Sequence, residues 1–414
     1  MDVFISKLLI FSLVIAISRS ETYEDAYELN ESLLQNYNPL IRPLNNQTDV
    51  VEVYLTVSLS FIHSYDVKNQ VLTISCWLGT YWTDERLVWN KTQFNGLSQI
   101  IVDTSKIWIP DLAFLNVLGD TLDVGSGSQA VVMHDGNVKW WPGKLHSIYC
   151  KANIRKFPFD EQTCALHVGT NINTKNEVIL LALMNRIELF QFVPNGEWYI
   201  VDTYIWDSTE LEFRVLKFSI TLRRRHEYYV INIILPVILL TFLNCVCFVL
   251  PSTSGERIGF ATSMFLTFTV FVTFFNEYLP QTSEQMCLLS LYLTVQQFAS
   301  GFTVFITVLV VRFHHMTSKQ VKNATLARCI LSCKKRGICV GVLCICRKGN
   351  YKKVIPQTSV DPQNTRIQNY VQEDERLEEI TYEDVGHLID KAFWYGCLLF
   401  TFTFNFGFTI LWMT

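Results

Sequence analysis

Charge is what this sequence has least of. Only 17% of its 414 residues are Asp, Glu, Lys or Arg, against 50% hydrophobic residues, and the mean hydropathy is +0.21. Those values exclude a disordered chain and point to a membrane protein with a substantial soluble part. The formal net charge of -4 leaves no basic footprint for nucleic acid. Nucleophile–base pairs, phosphate-cradling loops and metal motifs are missing, so neither an enzyme nor a cofactor or metal site is expected. The cysteines lack the two C-x-x-C pairs of a zinc ribbon. Internal repeats and low-complexity tracts are absent as well.

What is present divides by compartment. Lys7 precedes the apolar run Leu8 to Ile17, then Ser18-Arg19-Ser20. That run is too short to span a bilayer and reads as a signal peptide over residues 1–20, which places the following segment outside the cell. Sequons at Asn30, Asn46 and Asn90 fall in this exterior half and are candidate glycan acceptors. Tyr23 to Gln35 suits one short helix. From Val51 the pattern alternates: Val51, Val53, Leu55, Val57, Leu59 and Phe61 are interleaved with polar residues, which predicts a strand with one apolar face. Further β-rich runs at Val71–Leu78, Ala130–Met133, Ile148–Ile154 and Phe213–Leu222 are separated by turn chemistry at Asp135-Gly136-Asn137, Pro142-Gly143 and Pro194-Asn195-Gly196. The expectation is a single β-sandwich over residues 21–226, with Greek-key closure.

After Arg223-Arg224-Arg225 the composition changes. Tyr228–Leu250, Ile258–Phe275, Met286–Val311 and Phe393–Met413 are nearly free of charge, each about the twenty residues a helix needs to cross a ~30 Å core. Four crossings put both termini outside. The loop after the third span carries Arg312, Lys319, Lys322, Arg328 and a basic cluster holding Cys329, Cys333, Cys339, Cys344 and Cys346, whereas Tyr278–Gln285 has no Lys or Arg. This asymmetry fits a cytosolic loop under the positive-inside rule. Reduced thiols, some palmitoylated, are expected there. The implied segments are 227–311 (three spans), 312–391 (cytosolic) and 392–414 (fourth span). Within the cytosolic part, Ile367, Val371, Leu377, Ile380, Val385, Leu388 and Ile389 recur near helical spacing opposite a strongly acidic face, which predicts an amphipathic helix entering the last span.

The second span has its own pattern. Glu256, Gly259, Ser263, Leu266, Val270, Thr273 and Glu277 fall on one stripe of a 3.6-residue helix, small or polar at both ends, apolar in the middle and acidic at its tips. The remainder is rich in phenylalanine: Phe260, Phe265, Phe268, Phe271, Phe274 and Phe275. Repeated about an axis, Glu256 and Glu277 would form acidic rings that concentrate cations, and Leu266 and Val270 an apolar constriction. The alternative is that both glutamates are solvated helix ends and that the Ser and Thr hydroxyls bond to their own backbone.

Cys150 and Cys164 enclose thirteen residues with Phe157-Pro158-Phe159-Asp160 at their centre, and this loop resembles the signature of the Cys-loop receptors, the pentameric ligand-gated ion channels. Asn36-Tyr37-Asn38-Pro39-Leu40, Asn69-Gln70-Val71-Leu72-Thr73, Trp82-Thr83-Asp84, Trp108-Ile109-Pro110-Asp111, Pro194-Asn195-Gly196-Glu197-Trp198, Leu250-Pro251-Ser252, Gly255-Glu256-Arg257 and Phe313-His314-His315 are similar to nicotinic-type subunits of that family. The resemblance implies a Cys150–Cys164 disulfide, worth about 3 kcal/mol through the entropy of the denatured chain. Cys76 is left as a buried free thiol. It also implies β-sandwich ectodomains on four-helix membrane domains in a homo- or hetero-pentamer, with a small-molecule ligand bound between neighbouring ectodomains. Partners are then identical or related subunits, the bilayer and permeating cations. The segment before Glu256 lacks the Pro-Ala insertion of the anion-selective branch, which supports cation selectivity.

The departures concern the ligand. In the nicotinic subunits that this chain resembles, aromatic side chains and a pair of adjacent cysteines cage a quaternary ammonium. By that resemblance Leu115 occupies the position of the first cage tyrosine and Asn171 that of the cage tryptophan, and the last loop before Phe218 has no adjacent cysteines. Trp206 and Phe213 are its remaining aromatics. On the complementary face Trp77 keeps its place, with Lys139 and Trp141 beside it. Two alternatives remain: a receptor for an apolar or amphipathic ligand, similar to the divergent chemotactile receptors, or a non-principal subunit lending Trp77 and Trp141 to a partner's cage. Trp82, Trp108 and Trp198 are assigned to the core.

Overall fold

The computed structural model describes residues 22–413 apart from 120–123, 126, 211–212, 253–254, 281–285 and 316–381. The expected signal peptide, the cysteine cluster expected in the cytosol and most of the expected acidic amphipathic helix lie outside the described residues. The chain divides into two compact units: one holds the residues up to Asn153 together with Phe159–Arg225, and the other holds Ile154–Pro158 and everything from His226 onward.

The first unit opens with α1 (Tyr23–Leu34), closed at its N-terminus by a capping box between Thr22 and Asp25. Eleven strands follow: β1 (Val51–Asp66), β2 (Val71–Val88), β3 (Gln99–Asp103), β4 (Leu112–Phe114), β5 (Gln129–Met133), β6 (Asp135–Trp140), β7 (Gly143–Tyr149), β8 (Glu161–Thr170), β9 (Val178–Ala182), β10 (Trp198–Glu210) and β11 (Phe213–Arg224). They form a seven-stranded sheet in the order β3-β5-β6-β2-β1-β9, with β7 also on β2, and a four-stranded sheet in the order β10-β11-β8-β4. β1 follows its predicted alternation as far as Leu59, with Val51, Val53, Leu55, Val57 and Leu59 buried. Beyond it Phe61 is exposed and Ile62 buried in its place, because the register with β2 shifts between Leu59 and Phe61. Other expectations need correction. β2 runs ten residues past Leu78, the Ile148 run ends at Tyr149 rather than Ile154, and β4, β8, β9 and β10 carry no clear alternation in the sequence. Asp135-Gly136-Asn137 is strand and not turn, because the reversal sits one residue earlier at His134 and Gly136 supplies a φ of +84°.

Several of the sequence motifs are wired to one another. The Tyr37 hydroxyl donates to Asp84 and accepts from the Trp108 N–H at 2.9 Å and from Arg86 at 2.8 Å. Trp82 and Trp108 pack edge to face at 5.9 Å, and both are buried together with Trp198. Burial, and then the hydrogen bond to Asp84, pushes the Tyr37 phenol above its ordinary range. Asp111 accepts from the backbone N–H groups of Ile172 and Asn173 and from the Asn173 amide, so the Trp-Ile-Pro-Asp motif fixes the turn after β8.

The second unit is helical. Its helices are α2 (Glu227–Val246), α3 (Arg257–Glu277), α4 (Leu288–His315) and α5 (Tyr382–Met413). All four are long and apolar enough to cross a membrane. Their ends differ from the expected spans. Cys247–Val249 is a turn, α4 continues through Phe313-His314-His315, and α5 starts at Tyr382, so that the end of the predicted amphipathic helix and the fourth span are one helix. Val230–Ile234 is a π-helical turn just before Pro236, which has no N–H to continue the regular ladder.

Candidate functional site

The Cys150–Cys164 loop is anchored from inside the first unit. The two cysteines are bonded, and Gln162 bridges the loop ends, accepting from Asn153 N–H at 2.8 Å and donating to its carbonyl at 2.9 Å. Asp160, 2% exposed, receives Arg224 Nε at 2.8 Å and a second guanidinium nitrogen at 3.0 Å. Arg224, 4% exposed, also lies over the Trp198 ring at 4.3 Å. This is a fully desolvated bidentate pair. Arg223–Glu161, at 2.7 Å, has both partners about half exposed and contributes little. Residues Ile154–Pro158 cluster with the helices: Phe157, whose peptide bond to Pro158 is cis, meets Tyr229 at 5.0 Å and Phe275 at 5.6 Å, and the Leu288 N–H donates to the Arg155 carbonyl at 3.1 Å.

The seven expected ligand residues fall into two groups on different sheets. Trp77, Trp141 and Lys139 share one side of the seven-stranded sheet. Gly143 stands opposite Trp77, and a Cβ on it would lie 2.6–2.8 Å from the indole. Gly79 makes the same allowance for Trp141, whose ring carbons lie 3.2 and 3.3 Å from where its Cβ would be. These two bare positions let both indoles lie flat, and they remain 45% and 38% exposed. Tyr81, which the sequence reading missed, pairs with Lys139 and meets Trp141 edge-on at 5.7 Å. Its signal was its place four residues after Trp77, on the same face of β2.

Trp206 and Phe213 belong to the four-stranded sheet, and Leu115 and Asn171 directly follow its β4 and β8. Trp206, expected in a loop, is on β10, and Phe213 opens β11, where the β-rich run was expected to begin. Trp206 is 48% exposed and donates its indole N–H to Ser219 at 3.2 Å. Directly opposite it is Lys217, whose ammonium sits 4.8 Å from the ring centroid, and Lys217 in turn faces His167. Leu115, 48% exposed, bonds its N–H to the His167 carbonyl at 2.9 Å and so joins this group. Asn171 is exposed and tied by its N–H to the Asp111 carbonyl at 3.0 Å. Phe213 pairs with Glu210 at the hairpin end, four residues and roughly 13 Å along the strand from Lys217, and is not brought to Trp206. Lys217 and His167 are absent from the sequence-based site because only the pairing register reveals them.

Along α3, Glu256, Gly259, Ser263, Leu266, Val270, Thr273 and Glu277 are all exposed, while Arg257, Ala261, Phe268 and Phe275 are buried. The phenylalanine face is therefore not uniformly covered within the chain: Phe274 is 61% exposed. Ser263 donates to the Gly259 carbonyl at 2.9 Å, and Thr273 to that of Thr269 at 2.9 Å. These hydroxyl protons are spent on the helix, and the oxygen lone pairs face outward. Arg257 turns away from the stripe. It is 1% exposed and makes a two-pronged bond with Asp390 of α5, one prong at 2.8 Å, with a further bond to Ser252 at 3.1 Å. Asp390 was missed because its partner lies 133 positions away, beyond the reach of any local spacing.

Cys76 is 1% exposed, and burial pushes its thiol up from 9.0 to about 12. Maleimide at pH 8 should leave it unlabelled in the folded chain and modify it after denaturation; native labelling would contradict this environment. Above pH 9 the unfolded chain loses a proton that the fold retains, so this residue's contribution to stability declines between pH 9 and 12.

Residues 26–226 match the family model described as "Neurotransmitter-gated ion-channel ligand binding domain", and residues 233–341 match "Neurotransmitter-gated ion-channel transmembrane region". The chain belongs to the neurotransmitter-gated ion-channel family. Similar relatives include acetylcholine receptor subunit alpha-L1 of Schistocerca gregaria, 32% identical over 320 residues (73% of this chain, 57% of the relative). Acetylcholine receptor subunit beta-like 2 of Drosophila melanogaster is 32% identical over 324 residues (74% and 62%). Neuronal acetylcholine receptor subunit beta-3 of Rattus norvegicus is 30% identical over 300 residues (72% and 64%). The matched part thus spans somewhat over half the length of these curated relatives. Within the family the chain is nicotinic-like and multi-pass, with a sheet-rich domain followed by four candidate membrane helices. It is not an enzyme.

Proposed function

We propose that this chain is a subunit of a cation-selective pentameric channel in the plasma membrane, with both termini outside, opened by an extracellular ligand bound between neighbouring ectodomains. The segments are those of the sequence reading, 21–226 outside and 312–391 in the cytosol. Five copies of the α3 stripe surround the pore. Glu256 and Glu277 attract cations, the outward lone pairs of Ser263 and Thr273 favour the same sign, and Leu266 and Val270 close the path by dewetting. Asp160–Arg224 and Phe157 transmit the opening force.

The ligand is apolar or amphipathic, not a quaternary ammonium, as a chemosensory receptor would require. Lys217 over Trp206 is the observation that carries this choice. An ammonium ligand on that indole would share it with a cation that already lies 4.8 Å from the ring centroid, so like-charge repulsion opposes its binding. Leu115 and Asn171 supply no aromatic face in compensation. The exposed Trp77 and Trp141 favour a second reading, in which the chain lends only its complementary side to a principal partner. Currents from cells expressing this chain alone decide between them. Responses to hydrophobic compounds without a full acetylcholine response support the first reading. Silence alone, with acetylcholine currents altered on co-expression with a nicotinic subunit, supports the second, and a full acetylcholine response alone overturns both.

Two sequons fit glycan acceptors better than the third. Asn46 and Asn90 are exposed, and each accepts from its own sequon threonine hydroxyl, at 2.8 and 2.9 Å. Asn30 lies within α1 with its amide oxygen enclosed. Peptide N-glycosidase F should therefore shift the chain by two glycans. A third step on the gel, lost with Asn30→Gln, would contradict this.

A further inference from the structure

We infer that Cys245 and Cys397 form an oxidisable dithiol inside the membrane, a modification site that joins α2 to α5 when it meets a lipid-phase hydroperoxide. The two residues are 152 positions apart, yet their Sγ atoms face each other at 2.6 Å. Surrounding contacts hold both in place. Three residues before Cys245 and five after Cys397, Phe242 and Phe402 pack edge to face at 5.3 Å. Thr401 Oγ1 sits 3.4 Å from the Cys245 sulfur, and Cys397 packs on the cluster of Phe248, Ile306 and Val310. Cys247, two residues on, points to Thr307 at 3.4 Å and takes no part.

The pair is asymmetric, and this sets the order of events. Cys245 is 1% exposed, whereas Cys397 is only partly buried. In a membrane, a reagent dissolved among the acyl chains reaches Cys397 first. The Cys397 sulfur attacks the distal oxygen of the hydroperoxide: an S–O bond forms, the O–O bond breaks, and the thiol proton leaves with the alcohol. Cys245 then attacks the sulfenic sulfur, so that an S–S bond forms, the S–O bond breaks, and hydroxide departs with the Cys245 proton as water. Two thiols lose two electrons in all, and one hydroperoxide becomes an alcohol and water. With the resolving thiol already in contact, condensation outruns further oxidation of Cys397.

The test uses membranes from cells expressing the full chain, treated with cumene hydroperoxide, quenched with N-ethylmaleimide, digested and analysed by mass spectrometry. We expect a peptide linked through Cys245 and Cys397 to become the major form after treatment, to revert with phosphine, to persist in Cys247→Ser and to vanish in Cys397→Ser. The inference is overturned if both cysteines stay maleimide-labelled after treatment, or if Cys397 reaches sulfinic or sulfonic acid without the linked peptide. It is equally overturned if the link is already complete in untreated membranes. None of these readouts depends on ligand, pore or current.

Discussion

Asp160→Asn should deplete the chain from the cell surface and lower the melting temperature of what can be solubilised, followed by fluorescence-detected size exclusion after heating. The substitution keeps the shape of the side chain and removes the charge that Arg224 faces at 2.8 and 3.0 Å, with neither residue more than 4% exposed. A guanidinium left buried without its countercharge costs about 3–5 kcal/mol, a large fraction of the ~5–15 kcal/mol that holds a typical domain together. Replacing both partners by apolar residues, Asp160→Leu with Arg224→Met, removes the stranded charge and should recover most of the folded material. Wild-type melting of Asp160→Asn alone would show that water reaches Arg224.

Asp390→Asn is expected to act with similar force in the helical unit. Arg257 is 1% exposed, and the Asp390 carboxylate takes both of its terminal nitrogens, so the neutral variant leaves a cation enclosed at one end of α3. About 3–5 kcal/mol is again at stake. The consequence differs from that of replacing Glu256, although Glu256 and Arg257 are adjacent in sequence. Glu256 is exposed at the stripe, and its replacement should change permeation while leaving assembly intact. Arg257 and Asp390 should change assembly. Loss of surface protein in Asp390→Asn, recovered in Arg257→Met with Asp390→Leu, supports the clamp; normal surface levels in Asp390→Asn remove it.

Where period and burial coincide, the sequence announces the structure. The apolar positions of β1 are buried in alternation as far as Leu59, and α3 with its N-cap Glu256 exposes each of the seven stripe positions. β10 escaped because aromatic, acidic and hydroxyl residues follow one another without a clean apolar side, and its stability comes from pairing along β11. The partners of the motifs were hidden for a different reason. Tyr37 with Asp84, Asp160 with Arg224 and Arg257 with Asp390 are joined across 47 to 133 positions, and no local spacing encodes such a distance. Lys217 is the same case at closer range: an unremarkable strand lysine until the register sets it over Trp206.

The back-bonded hydroxyls of α3 separate two demands that usually compete. Since Ser263 and Thr273 give their protons to their own helix, an alanine at either place leaves no backbone group wanting. Mutation can thus vary the polar surface of this stripe one oxygen at a time without weakening the helix that carries it, and descendants of this chain are free to alter that surface at little cost to their foldedness.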